Sequence, residues 1–290
     1  MFYRVGLAVL VLWSASVFEG CGAGSTDVKT SFQLHNLTHV VFATGNTCSS
    51  IDFMSGGHTD SFDSTQGTYA ATRQSGNGDI GTNGNLLNED SLTIHGSLST
   101  PWGNNVGPCP PLTAASGNSI TATEGLQTLA PLTFPNPPIP VTPTDNFTMP
   151  SDIPPGTYGN AVGCSGTYHF SAGAYNFNSI DCESPATFML DSGPVILNVG
   201  GVGSSGNALN FQSGLSINPG GKPSDFQIVY GGTAGLNMQS EANPVSALIY
   251  APSADLDFDS QGDFFGAMVI KTVTFESSGG LHYDRSLLVF

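Results

Sequence analysis

The sequence has very little positive charge. Only six Lys and Arg residues stand against 22 Asp and Glu in 290 residues, which gives a formal net charge of −16. Such a chain repels the phosphate backbone of nucleic acids and anionic lipid headgroups, so neither is an expected partner. No cofactor is expected either. Cations such as Ca²⁺ are the charged species that this surface would attract.

The chain also lacks room for long helices. It contains 37 Gly and 19 Pro, and beyond the N-terminus no apolar pattern recurs at helical spacing. Its polarity comes from Gly, Ser, Thr and Asn, because charged residues make up only 10% of the chain. The composition therefore predicts an all-β protein.

Short strands follow one another closely in the C-terminal half. Apolar residues alternate with polar ones at Val195/Leu197/Val199 and at Leu256/Phe258, with Gly, Ser or Asn turns nearby. Period-two alternation turns one face of a strand inward and the other outward. Many very short strands favour a single-stranded parallel β-helix, a solenoid in which neighbouring coils bury a narrow core. A β-sandwich, which usually has longer strands, is the alternative.

The chain divides by composition. A segment around 131–157 is rich in proline, and proline lacks the donor that a central strand needs, so the segment predicts an extended strap. The expected organisation is a signal peptide at 1–21, a tether at 22–45, a first β segment at 46–130, the Pro-rich strap at 131–157 and the main β-helix segment at 158–290.

The N-terminus resembles an export signal. Arg4 precedes an apolar run at Val5–Val17 that is shorter than the about 20 residues of a transmembrane helix. Cys21 stands where a bacterial lipoprotein carries its lipidated cysteine, so we expect an extracellular or outer-membrane-anchored protein. A lipid on Cys21 would be its only membrane contact.

Four cysteines remain after Cys21. Cys48, Cys109, Cys164 and Cys182 allow three pairings. Export makes disulfides plausible. We favour Cys48–Cys109 and Cys164–Cys182, because each pair then stays within one segment of the chain.

Several segments resemble a bacterial extracellular domain family of unknown function that is often called PilX-like or pilus-assembly. The segments are Asp60–Tyr69 (DSFDSTQGTY), Gly78–Gly84 (GDIGTNG), Val245–Ser253 (VSALIYAPS), Gly262–Lys271 (GDFFGAMVIK) and Gly280–Leu287 (GLHYDRSL). The resemblance implies a parallel β-helix on the cell surface, linked to a pilus or to adhesion, and implies no catalysis. Many relatives begin with a pilin-like hydrophobic helix, whereas this chain begins with an export signal and Cys21.

Two groups of side chains are candidates for chemistry. Asp255, Asp257 and Asp259 share the outer face of a predicted strand, and their hard oxygen ligands suit Ca²⁺; solvation is the simpler role for them. His282 is expected to form an Asp–His hydrogen bond with a neighbouring coil. No Cys/His spacing indicates zinc.

We expect no enzyme and no catalytic residue, because basic groups that would steady a developing anion are few and scattered. The predicted function is an exported structural or adhesive β-helix protein at the cell surface, either with or without a pilus association. Its expected partners are surface or pilus components or glycans. The alternative is a secreted carbohydrate-binding or carbohydrate-cleaving protein.

Overall fold

The protein is built from parallel β-strands. The computed structural model describes residues 37–101 and 120–289. Half of these described residues lie in strands, and they include one short helix. The strands are β1 Val41–Ala43, β2 Ile51–Phe53, β3 Gly57–Phe62, β4 Ile80–Thr82, β5 Leu86–Asn88, β6 Leu92–Ile94, β7 Ser97–Thr100, β8 Ile120–Ala122, β9 Gly125–Thr128, β10 Asn146–Phe147, β11 Asp152–Ile153, β12 Gly156–Val162, β13 Gly166–Phe170, β14 Gly173–Cys182, β15 Ala186–Leu190, β16 Val195–Val199, β17 Leu209–Phe211, β18 Ser216–Ile217, β19 Phe226–Tyr230, β20 Leu236–Glu241, β21 Val245–Ser260, β22 Phe264–Phe275 and β23 Gly280–Asp284. Helix α1 is Tyr69–Thr72, and 3₁₀ turns lie at Pro223–Asp225 and Arg285–Val289.

Every pairing between these strands is parallel, and the pairings form three ladders. The first passes through β12, β14, β16, β19, β21, β22, β1, β4, β7 and β9. The second passes through β10, β12, β14, β17, β20, β21, β22, β2 and β5. The third passes through β11, β13, β15, β18, β21, β22, β23, β3, β6 and β8.

Six of the strands form a closed, parallel barrel, and many further strands lie outside that ring. β14 pairs with β16, β16 with β19, β19 with β21, β21 with β20, β20 with β17, and β17 again with β14. The ring closes because β14 is long enough to contribute to two ladders and β21 to all three. The all-β prediction is confirmed, and the parallel pairings differ from the antiparallel ladders of a β-sandwich.

The core follows from period-two alternation. Leu197, Ile228, Ile249 and Met268 are register partners on successive strands of the first ladder, and each is at most 1% exposed. Burying each such side chain contributes about 1.5–3 kcal/mol. Inward residues from all three ladders join one apolar cluster, which fills the space that the ladders enclose.

The ladder order is not the chain order. β1 and β2 pair with β22, and β3 pairs with β23, so the first strands of the chain lie directly against the last ones. We call this contact the joint, defined by β3, β22 and β23. The described residues, 37–101 and 120–289, accordingly belong to one compact unit; the sequence predicts β segments at 46–130 and 158–290.

The proline-rich segment runs along the first ladder. The Leu132 carbonyl accepts a hydrogen bond from Asn83 next to β4, and the Thr144 carbonyl accepts one from Asn160 on β12. From β4 to β12 the first ladder has eight strands, both of these included. The seven distances between neighbouring strands add up to about 34 Å. Twelve residues in a polyproline II conformation cover about 37 Å. Residues 132–144, which we call the strap, are therefore long enough to cross the ladder in an extended conformation. β10 and β11 lie within the range 131–157.

Candidate functional site

A buried polar cluster lies on the outer side of the joint. The register places Asp60 of β3 opposite His282 of β23, and His282 opposite Phe265 of β22. Because alternate residues of a strand share a face, His58 lies on the same side as Asp60. The excursion between β3 and β4, which contains α1, covers this face, so the side chains of Asp60 and His282 are 0% and 1% exposed.

Asp60 holds the cluster together. Its Oδ1 lies 2.6 Å from Nδ1 of His282. Its Oδ2 accepts a hydrogen bond of 2.8 Å from the Tyr69 hydroxyl and lies 2.7 Å from Nε of Arg73. A buried carboxylate is stable only when its oxygens are paired in this way, so both oxygens of Asp60 are already engaged.

The other imidazole nitrogen of His282 is not satisfied. Among the described residues, its buried Nε2 has no hydrogen-bond partner. The nearest carboxylate oxygen is Oδ1 of Asp263, at 3.5 Å, beyond the usual hydrogen-bond range. His58 lies on the same side, with 5.6 Å between the centroids of the two imidazoles.

Aromatic rings fix the orientation of His282. The imidazole centroid lies 4.2 Å from that of Tyr69 and 4.8 Å from that of Phe265. The guanidinium of Arg73 lies 5.7 Å from the centre of the Tyr69 ring, within the range of a cation–π contact. With its ring packed and Nδ1 hydrogen-bonded, His282 has a single possible direction for its Nε2.

Burial and charge act in opposite directions on these groups. Burial alone raises the pKa of Asp60, but the hydrogen bond from His282 and the charge of Arg73 outweigh it and lower that pKa. Burial alone lowers the pKa of His282, but Asp263 and Asp60 raise it overall. The pKa of His58 is lowered by burial and then by the nearby His282, which favours a neutral imidazole there.

The donors of the cluster are those that bind divalent transition metals. Single ligand atoms of His58, Asp60 and His282 all lie within 4.8 Å of one another. Neutral imidazoles and carboxylates together suit Zn²⁺ and related ions.

Sequence reasoning found only part of this cluster. The Asp–His hydrogen bond predicted for His282 is present, but no feature of the sequence marks Asp60 or His58 as its neighbour. His282 and Asp60 are 222 residues apart, so no spacing rule connects them. The available signal was that Asp60 and His282 each belong to a segment that carries the family resemblance.

The predicted aspartate row lies on the outer face of β21, and Leu256 and Phe258 between its members are buried. The three carboxylates have separate environments. Asp255 pairs with Lys271 at 3.1 Å, and Asp259 accepts a hydrogen bond from Ser277. The structure therefore does not bring the three together, and the Ca²⁺ site stays a prediction.

Asp257 has an unfavourable position in this row. Burial raises its pKa, and the neighbouring Asp259 adds to that effect. Asp257 and Asp259 in turn contribute, with burial, to a raised pKa of Glu276. The register partner of Asp257 on β20 is Asn237, whose buried Oδ1 has no hydrogen-bond partner in the described part of the chain.

A shallow polar groove of about 370 Å³ follows this row. Its lining carries carboxylates, amides and hydroxyls but no aromatic side chain in the described ranges. The lining residues are Asn207, Gly235, Leu236, Asn237, Asp255, Leu256, Asp257, Thr272, Thr274 and Glu276.

The structure tests part of the cysteine assignment. Cys164 and Cys182 form a disulfide with a Cα–Cα distance of 4.7 Å, as predicted. Cys48 is exposed, but Cys109 lies outside the described residues, so their pairing stays a prediction. Cys21, with its proposed lipid, also lies outside them.

The fold and the cluster together define an all-β protein with parallel ladders and a buried His–Asp cluster at its joint. Residues 193–289, less than half of the chain, match a family described as a domain of unknown function (DUF7305). No curated protein and no solved structure matches this chain. Within the described ranges, no helix has the length and apolar character needed to cross a membrane.

Proposed function

We propose that this protein is an exported structural or adhesive module of the cell surface and that its ladders are the faces of a parallel β-helix. The observation that carries this proposal is the order of the strands. β1, β2 and β3 belong to the first, second and third ladder, and β4, β5 and β6 repeat that order. A chain that winds into coils would visit three faces in turn and then repeat them, so this order supports the proposal.

The stacked rows support a stiff module. Asn237 donates a hydrogen bond to Asn210, and Asn210 donates one to Asp181, at 2.9 and 2.8 Å. Side-chain amides on the outer face thus connect successive strands by hydrogen bonds, in addition to the backbone hydrogen bonds of the ladder. The strap crosses the first ladder lengthwise, and the Cys164–Cys182 disulfide adds a covalent link.

The surface location rests on the N-terminal signal and on the resemblance to the PilX-like family. The proposed partners are surface or pilus components, and the charge of −16 disfavours nucleic acid. We propose no enzymatic activity. The groove beside Asp257 has the carboxylates of a carbohydrate-cleaving site but no aromatic platform, so the glycan-binding alternative has less support.

The proposal is tested on intact source cells. An antibody against the mature chain should label unpermeabilised cells, and deletion of the gene should reduce adhesion or pilus number, with restoration by the wild-type gene. A periplasmic marker serves as the control for leakage. Labelling only after permeabilisation, or a deletion that leaves adhesion and pili unchanged, would contradict the proposal.

A further inference from the structure

We propose that His58, Asp263 and His282 bind a divalent transition-metal ion at the joint, with Zn²⁺ as the representative ion and Asp60 as the residue that orients His282. This site does not depend on the surface function proposed above. It would attach the last strand of the chain to one of the first through a metal.

The unsatisfied nitrogen of His282 is the first reason. Its side chain is 1% exposed, and its Nε2 has no hydrogen-bond partner in the described part of the chain. A buried polar atom without a hydrogen bond is unfavourable, and the contact with Asp263 at 3.5 Å is too long to be one. This nitrogen is directed to the side where Asp263 and His58 lie, so a bound cation would remove the cost.

Asp60 supplies the second reason. Metal-binding histidines usually donate their other ring N–H to a carboxylate, which fixes the tautomer and the ring orientation. The 2.6 Å contact between Nδ1 of His282 and Asp60 has this form and leaves Nε2 as the metal-binding atom. Arg73 and Tyr69 occupy the other oxygen of Asp60, so Asp60 itself acts as the positioning residue.

Gly280 supplies the third reason, because it lets the two imidazoles approach each other. A β-carbon at Gly280 would stand 2.6 Å from Nε2 of His282 and 2.9 Å from Cε1 of His58. Both imidazoles therefore occupy the space that a β-carbon at this position would need. Metal–nitrogen bonds of about 2.0–2.1 Å require the half-buried His58 to turn a ring nitrogen towards Nε2 of His282.

The donor set selects the ion. Two imidazoles and one carboxylate favour Zn²⁺ and its first-row neighbours, whereas Ca²⁺ and Mg²⁺ prefer oxygen ligands throughout. Three protein ligands leave one position of a tetrahedral ion for water. The acidic groove beside Asp257 would instead favour Ca²⁺, so the identity of the ion distinguishes the two places.

The experiment uses the full mature chain, stripped with a chelator and titrated with Zn²⁺ by calorimetry, with Co²⁺ absorption as a readout of ligand geometry. The variants are His58→Gln and Asp263→Asn, because neither removes the bond between Asp60 and His282. His169→Gln is the matched control, since His169 pairs with Asp191 at 2.9 Å, away from the joint, and is 40% exposed.

We expect one Zn²⁺ per chain, a tetrahedral Co²⁺ spectrum and a melting temperature that rises with Zn²⁺. His58→Gln and Asp263→Asn should each weaken binding at least about tenfold while circular dichroism stays unchanged, and His169→Gln should bind like the wild type. Gly280→Ala should also lose the ion, because the added β-carbon would displace the imidazoles of His58 and His282.

Three results would overturn the proposal. The first is a wild-type chain that binds no Zn²⁺. The second is binding that folded His58→Gln and Asp263→Asn proteins retain in full. The third is binding of Ca²⁺ in place of Zn²⁺, which would locate the ion among oxygen ligands instead.

Discussion

The joint and the aspartate row differ in the cover and the partners that the fold gives to carboxylates on the outer face of a strand. At the joint, α1 and its flanking residues cover Asp60, and Arg73, Tyr69 and His282 satisfy both of its oxygens. In the row, Asp257 stands beside Asp259 without a cationic partner in the described ranges. The pKa of Asp60 is lowered, despite burial, by its partners, whereas burial and Asp259 raise that of Asp257. The partners of an outward carboxylate, more than its burial, decide whether its charge is stabilised.

The largest effect is expected at the joint. Asp60→Asn keeps the size of the side chain but removes the charge that pairs with Arg73 and His282. Breaking a buried charged pair costs about 3–5 kcal/mol, so the free energy of unfolding in urea should fall by that amount.

The matched control for Asp60→Asn is Asp255→Asn in the row. The pair of Asp255 with Lys271 has side chains that are 52% and 47% exposed, and such pairs contribute about 0–1 kcal/mol. Equal losses for the two variants would show that the cover over the joint makes no energetic difference.

The stability that the Cys164–Cys182 disulfide contributes can be compared with that of the Asp60 contacts at the joint. Cys164 and Cys182 are separated by 18 residues, and a disulfide that closes a loop of this size contributes about 3 kcal/mol. The Cys164→Ala/Cys182→Ala double variant should lose that stability in urea unfolding. It should also respond less than the wild type to a reducing agent; an undiminished response would assign the effect to other cysteines.

The strap covers part of the first ladder, and its contact with Tyr250 is a hydrogen bond between two uncharged groups. The Tyr250 hydroxyl donates a hydrogen bond of 2.8 Å to the carbonyl of Pro135, and burial raises its pKa to about 12. Tyr250→Phe should cost about 1–2 kcal/mol, less than Asp60→Asn, because no charge is involved. Limited proteolysis should then cut the strap sooner than in the wild type, and an unchanged cleavage rate would show that this contact does not hold it.

The features that could be predicted from the sequence are those that depend on residues close together in the chain. Alternation placed Leu256 and Phe258 inside from five adjacent residues, and the prolines of 131–157 marked a strap because each removes a ladder donor. The joint could not be predicted, because there β3 pairs with β23, which is more than 200 residues away in the sequence. No periodicity reports such a pairing, so the neighbours of His282 could not be read from the sequence even though its hydrogen bond was expected.

The smallest effect, and the only stabilising one, is expected in the row. Asp257→Asn removes a charge next to Asp259 and supplies an amide donor to the unsatisfied Oδ1 of Asn237. A new hydrogen bond contributes about 0.5–1.5 kcal/mol, and the exposure of Asp257 places the gain at the lower end. Because the folded pKa of Asp257 is raised, its charge destabilises the fold only as the pH rises above the unfolded value of about 4. The charge-dependent part of the gain should therefore be present at pH 7 and absent at acidic pH, as measured by urea unfolding at both. A gain that does not change with pH would show that the new hydrogen bond, and not the loss of repulsion in the row, stabilises the variant.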